Sequence, residues 1–160
     1  MVSGASGTGA RHQARSPRDI AIALLARREY ARAELASRLA HKQVPPEEID
    51  VCLNALAEQG LQSDARFAES FIRSRILRGQ GVRRIDSELR QRGIDAITYT
   101  AALAEVEAQE GVDWFELARE TLSRRFSTPG DSPKEQARRE RFLANRGFEF
   151  DQIRYALSSL

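Results

Sequence analysis

The sequence predicts an all-α chain of three tandem three-helix repeats, stacked into an elongated, curved array. Three observations predict it. First, a helical stripe occurs three times: Ile20-Ala21, Leu24-Leu25 and Arg28; Phe67-Ala68, Phe71-Ile72 and Arg75; Leu117-Ala118, Thr121-Leu122 and Arg125. Each copy places residues i, i+1, i+4 and i+5 on one helix face, with arginine at i+8. Second, another spacing follows each copy: Val44, Ile49, Leu53; Ile94, Tyr99, Leu103; Phe148, Ile153, Leu157. Third, no stretch alternates apolar and polar residues over strand length. A period of roughly fifty residues belongs to repeat architectures. Such units bury their apolar faces by stacking and present an extended surface. The expected organisation is a disordered tail over 1–15, then repeats over 16–61, 62–110 and 111–160.

Each helix has a physical start and stop. Ser16-Pro17-Arg18-Asp19 opens the first: serine accepts at the N-cap, proline at N1 lacks only an orphan donor, and the acid suits the dipole. It is expected to reach Glu29. The second is expected from Ala31 to His41. The third starts at Pro45-Pro46-Glu47-Glu48 and stops at Gly60, a residue suited to the left-handed C′ position. The second repeat starts at Ser63 or Asp64, runs to Leu77 and breaks at Gly79-Gln80-Gly81. Its middle helix covers Val82 to Arg92 and ends at Gly93, and Asp95 caps the next, which reaches Gln109. In the third repeat Asp113-Trp114-Phe115-Glu116 forms a capping sequence, and Ser132-Pro133-Lys134-Glu135 repeats the start at Ser16. That helix stops at Gly147, and Glu149 to Leu157 closes the array. Leu89 is expected in the core, at the spacing of Leu35 and Leu143.

Composition narrows the function. Of 160 residues, 30% are charged and 41% hydrophobic, which describes a soluble globular chain. No apolar run approaches the ~18 residues of a membrane span. One cysteine permits no intrachain disulfide, and the cytoplasm is the expected compartment. Cys52, between Val51 and Leu53, reads as a packed small hydrophobe. Gly4-Ala5-Ser6-Gly7-Thr8-Gly9-Ala10 lacks the Gly-Lys-Ser/Thr and preceding strand of a phosphate loop. His12 and His41 stand apart, and no Cys-x-x-Cys or Ser/His/Asp set exists. Glu105, Glu107, Glu110, Asp113 and Glu116 read as a solvated face. No catalytic residue, cofactor site or metal site is expected.

The basic residues are nearly all arginine, at a net charge of +2. They concentrate in the second repeat, where Arg73, Arg75, Arg78, Arg83, Arg84, Arg90 and Arg92 are the candidate partner-binding residues. Two readings of this group stay open: a patch for phosphates or acidic protein, or a solvated face with helix-end pairing. Arg28, Arg75 and Arg125 recur beside the apolar stripe. Their expected role is internal, a bond to a carbonyl or to an acid of the next helix.

The chain resembles the RecX family of bacterial regulators of the RecA recombinase. The resemblance lies in Leu24-Leu25-x-x-Arg28 with Glu34-Leu35-x-x-x-Leu39, and in Asp64-x-Arg66-Phe67-Ala68. It continues through Gly81-x-x-x-Ile85-x-x-Glu88-Leu89-x-x-Arg92-Gly93-Ile94 and Arg141-Phe142-Leu143-x-x-Arg146-Gly147-Phe148. One departure is Tyr30, where the family often has serine. The resemblance implies a binder of the RecA–single-stranded-DNA filament that blocks ATP hydrolysis and strand exchange. The expected state is a monomer, and direct contact with single-stranded or duplex DNA stays open as a further partner interaction. The rival reading is a helix-turn-helix-like DNA-binding module, since three-helix units resemble such domains.

Overall fold

Nine helices and no strand form among the described residues, 15–159, of the computed structural model. The helices are α1 (Pro17–Leu25), α2 (Arg32–His41), α3 (Pro46–Glu58), α4 (Asp64–Leu77), α5 (Val82–Gln91), α6 (Ala96–Glu110), α7 (Trp114–Arg125), α8 (Pro133–Asn145) and α9 (Phe150–Ser158). Except for Arg15, the expected tail lies outside the described residues, with His12 and the Gly4–Ala10 stretch. The caps read from the sequence form. Ser16 accepts from the Asp19 amide at 3.1 Å, Asp95 from Thr98 at 2.7 Å, Asp113 from Glu116 at 3.1 Å and Ser132 from Glu135 at 3.2 Å. One boundary differs by more than one residue. α1 ends at Leu25, four residues short of Glu29, because the chain turns to put Tyr30 into the core at 6% exposure. The Gln62 amide then holds the Tyr30 carbonyl at 3.2 Å, and Glu34 accepts from the Ala31 amide at 3.0 Å where residue 31 offers no capping oxygen.

The chain divides into two compact units, one ending at Ser63 and the other starting at Asp64. In the first, Ala21, Tyr30, Leu35, Leu39, Ile49, Leu53 and Leu56 form the core. The second unit holds two three-helix sets, in which α4 packs mainly on α6 and α7 mainly on α9. Ala118, Leu122, Leu143, Phe148, Ile153 and Ala156 make the core of the last set.

Backbone bonds fix how the repeats correspond. The Val44 amide donates to the Leu39 carbonyl, Ile94 to Leu89 and Phe148 to Leu143, at 3.1, 3.0 and 3.2 Å. Each is the 6→1 bond of a Schellman end. Leu39 is therefore the counterpart of Leu89 and Leu143, which corrects the expected match to Leu35. Four residues earlier the counterparts are Leu35, Ile85 and Arg139, and all three are buried. Arg139 takes an apolar core position by donating to the Thr128 carbonyl, stacking 4.7 Å from the Phe126 ring centroid and facing Glu135 at 3.8 Å. The residue at the left-handed turn is Gln43 in the first repeat, Gly93 in the second and Gly147 in the third, with φ of 71°, 84° and 97°.

Within the second unit, the start of α5 meets the end of α8 backbone to backbone. The Gly81 amide donates to the Arg146 carbonyl at 2.8 Å, and the Arg83 amide to the Gly147 carbonyl at 3.0 Å. Helix starts leave amides unpaired and helix ends leave carbonyls unpaired, and here each satisfies the other. The approach excludes side chains. A Cβ on Gly81 would lie 2.5 Å from the Gly147 oxygen, and one on Gly147 would lie 2.5 Å from Arg84 Cβ and nitrogen. A Cβ on Gly79 would meet Thr121 Oγ1 at 2.7 Å. Gly79-Gln80-Gly81 is thus a docking surface as well as a helix break. Trp114 Nε1 adds a bond to Glu107 at 2.7 Å between α7 and α6.

Gly147→Ala should destabilise the protein by about 3 kcal/mol or more, combining left-handed strain with backbone overlap. Leu89, fully buried, should cost about 2–5 kcal/mol on substitution by alanine. Urea unfolding of both variants measures this. A Leu89→Ala change within about 0.5 kcal/mol, the range of surface sites, would remove it from the core.

Candidate partner-binding surface

The seven arginines of the second repeat separate into internal and outward groups. Arg75 is internal: its side chain is 13% exposed, Nε donates to Glu88 at 3.0 Å, and the guanidinium lies 4.2 Å from the Phe71 centroid. Arg92 covers the same ring at 4.8 Å. Arg84 bonds the other Glu88 oxygen at 3.3 Å and reaches the Asn145 carbonyl at 3.4 Å. Arg73 donates to Gln109 and pairs with Glu110 at 3.4 Å, tying α4 to the end of α6. Arg90 pairs along its own helix with Asp86 at 2.9 Å. Arg78 and Arg83 are exposed, and among the described residues neither guanidinium has a carboxylate within ion-pair distance. The backbone around both is fixed. The Arg78 carbonyl accepts from Arg146 Nη1 at 3.0 Å, and the Arg83 amide is one of the two docking donors.

The recurring arginine behaves as expected in two repeats. Arg28 donates to the Glu29 carbonyl at 2.7 Å and to Glu34 at 3.4 Å, and stacks 3.6 Å from the Tyr30 centroid. Arg75 takes Glu88. Arg125 has no such acid and lies 5.2 Å from the Phe126 centroid. Counting back from Leu39, Leu89 and Leu143 gives the reason. The third-repeat counterparts of Glu34 and Glu88 are Arg138 and Phe142.

Arg125 therefore joins a group that sequence reasoning missed. Arg78, Arg124, Arg125 and Arg146 line one cleft of about 180 Å³ with Thr121 and Phe142. In the first unit, Arg15, Arg27, Arg38 and Lys42 rim a second cleft around Ile20 and Leu24. The signal for the first cleft was the missing acid, legible only once the repeats are in register. The acids read as a solvated face are partly engaged, Glu107 with Trp114 and Glu110 with Arg73.

The remaining chemistry is sparse. Among the described residues no cluster of His, Cys, Asp and Glu could hold a metal ion, and no helix is long and apolar enough to cross a membrane. Burial pushes the Cys52 thiol up from its ordinary value, which favours the neutral form of a packed residue. Burial, reinforced by Asp86 and other nearby acids, pushes the Tyr99 phenol up to about 12. It stays protonated and donates to the Val82 carbonyl at 3.4 Å, supporting the start of α5 from below.

Tandem three-helix domains with arginine-rich faces define the class of this protein. Family models described as the first, second and third three-helix domains of RecX match residues 18–56, 63–103 and 112–157. The "Regulatory protein RecX" of Chromohalobacter salexigens is 53% identical over 146 residues, 91% of this chain and 93% of the relative. That of Halorhodospira halophila is 46% identical over 144 residues, 89% and 86% of the two chains. The crystal structure of RecX from Lactobacillus salivarius shares the fold, with a TM-score of 0.74 at 23% identity over 90% of this chain and 94% of that one. A second RecX crystal structure has a TM-score of 0.75 at 21% identity, over 89% and 71%. The chain belongs to the RecX family, and its relatives are named regulatory proteins.

The two classes of arginine should separate by measurement. Arg75→Ala removes a charge-assisted bond of low exposure and should cost about 1–3 kcal/mol in urea unfolding. Arg83→Ala should stay within about 0.5 kcal/mol of the parent. Equal losses would mean that the Arg75–Glu88 pair does not hold α4 to α5.

Proposed function

We propose that the protein binds the RecA–single-stranded-DNA filament and inhibits its ATP hydrolysis and strand exchange. Family membership through all three domains carries this reading. It acts by occupying a surface, in the cytoplasm and as a monomer, with no catalytic step of its own. The charge pattern supports it. A nucleoprotein filament offers phosphates and acidic protein surface, and the outward arginines complement both. Arg78 and Arg83 are the members of the candidate group best placed to meet a partner. Arg75, Arg84 and Arg73 chiefly hold the surface in shape.

The deciding measurement is the single-stranded-DNA-dependent ATPase of the cognate recombinase, with and without this chain. ATP turnover should fall as the chain is added, and the chain alone should hydrolyse none. Raising salt from 0.1 M to 1 M shortens the screening length from ~10 Å to ~3 Å and should weaken inhibition. Arg83→Glu should weaken it too, with circular dichroism showing an intact fold. Reversing Arg75 or Arg84 would be a poorer test, since both face Glu88. An unchanged ATPase at every ratio would overturn the reading. Sequence-specific duplex binding without recombinase would favour a helix-turn-helix-like module instead.

A further inference from the structure

We infer that the cleft lined by Arg78, Arg124, Arg125 and Arg146 is a phosphate-binding site that takes the backbone of a nucleic-acid strand. The inference rests on the filament-binding reading and names a ligand group for one part of that surface. Four arginines line one cleft, and no acid lines it. Among the described residues no carboxylate lies within ion-pair distance of Arg78, Arg125 or Arg146. Arg124 has only Glu120, at 4.0 Å, with both side chains largely in water. Such a pair contributes little.

The helix ends nearby do not consume this charge. The Arg146 and Gly147 carbonyls are taken by the α5 amides, and the Arg78 carbonyl by a single Arg146 nitrogen. The repeat arginine finds an internal acid in the first two repeats and none in the third, where Arg138 and Phe142 replace those acids. A cation kept out of the internal pairing is available to a ligand.

Donor geometry selects the ligand. A tetrahedral phosphate presents oxygens in several directions and can engage guanidinium groups from different helices, whereas a carboxylate is served by one fork. A nucleic-acid strand fits better than free phosphate because the cations continue past the cleft. Arg83 stands at the same junction, its amide bonded to Gly147. The backbone exchange at Gly81 and Gly147 fixes the cleft walls before any ligand arrives.

The test is fluorescence anisotropy of a labelled oligothymidylate with the full chain alone, over a salt series. The parent should bind, and Arg124→Ala with Arg125→Ala should weaken binding about tenfold at low salt. The slope of log affinity against log salt should become shallower by about 0.7 for each phosphate that the variant no longer neutralises. A charge-matched control, Arg32→Ala with Arg119→Ala, removes two arginines already paired with Asp50 and Glu116 and should keep the parental slope. Inorganic phosphate should compete only weakly, and an oligomer with uncharged methylphosphonate linkages should not bind. Circular dichroism checks that both doubles are folded. The inference is overturned if the parent does not bind, if both doubles weaken binding equally, or if millimolar phosphate displaces the strand. It is also overturned if polyglutamate binds as well as the oligomer with the same sensitivity to Arg124 and Arg125. Recombinase ATPase on the same samples separates the two readings. Strand binding through Arg125 without ATPase inhibition would sink the filament reading alone. ATPase inhibition that survives the abolition of strand binding would sink this one alone.

Discussion

The exchange of two backbone hydrogen bonds between Gly81 and Gly147 is the constraint on which the second compact unit depends. α5 begins without a capping side chain and without an acid in its first turn, so its leading amides need acceptors from elsewhere. They find the carbonyls that end α8, which need donors. Neither helix end could be buried there alone without leaving polar groups unpaired. The two chains approach so closely that only glycine fits on either side. Side chains then fasten the contact, with Arg84 reaching Asn145 and Arg146 reaching Arg78. The second and third three-helix domains are consequently joined by main chain, and the arginines around the joint are held in fixed places.

Those arginines divide according to what the same position does in each repeat. In the first two, an acid on the middle helix engages the recurring arginine and an aromatic ring supports it: Arg28 with Glu34 and Tyr30, Arg75 with Glu88 and Phe71. In the third, the aromatic support remains as Phe126 but the acid is gone. The third domain also buries Arg139 where its siblings bury leucine and isoleucine. It is therefore the most cationic of the three in its interior and around its joint. A shared backbone plan thus yields two domains whose recurring arginine is held by an acid and a third whose recurring arginine has none among the described residues.

Much of the fold was legible because its signals are local. Apolar spacing, serine and aspartate caps and glycine stops are contained within a few residues, and the helices begin where Ser16, Asp95, Asp113 and Ser132 place them. The end of α1 was not legible, because the burial of Tyr30 is a tertiary demand that overrides good helix formers from Ala26 to Glu29. The match of Leu89 to Leu35 failed for a similar reason. Leu35 and Leu39 both sit on the apolar stripe, and only the carbonyl bonded to Val44 tells them apart. Charge was least legible. Arg75 and Arg83 look alike in sequence, yet one is locked to Glu88 and the other stands in solvent. The acids that separate them lie on other turns and other helices.

The turn after each middle helix has a further meaning for how such repeats diverge. All three copies demand the left-handed conformation there, yet the first carries Gln43, while the third carries Gly147 against the backbone of α5. The backbone angle alone tolerates a side chain at modest strain. The neighbouring chain does not. The turn that forms the joint excludes any side chain, whereas the turn of the first repeat carries that of Gln43. A glycine at this turn thus meets two separable requirements, one a dihedral angle and one an absent volume. Only the second makes the residue irreplaceable.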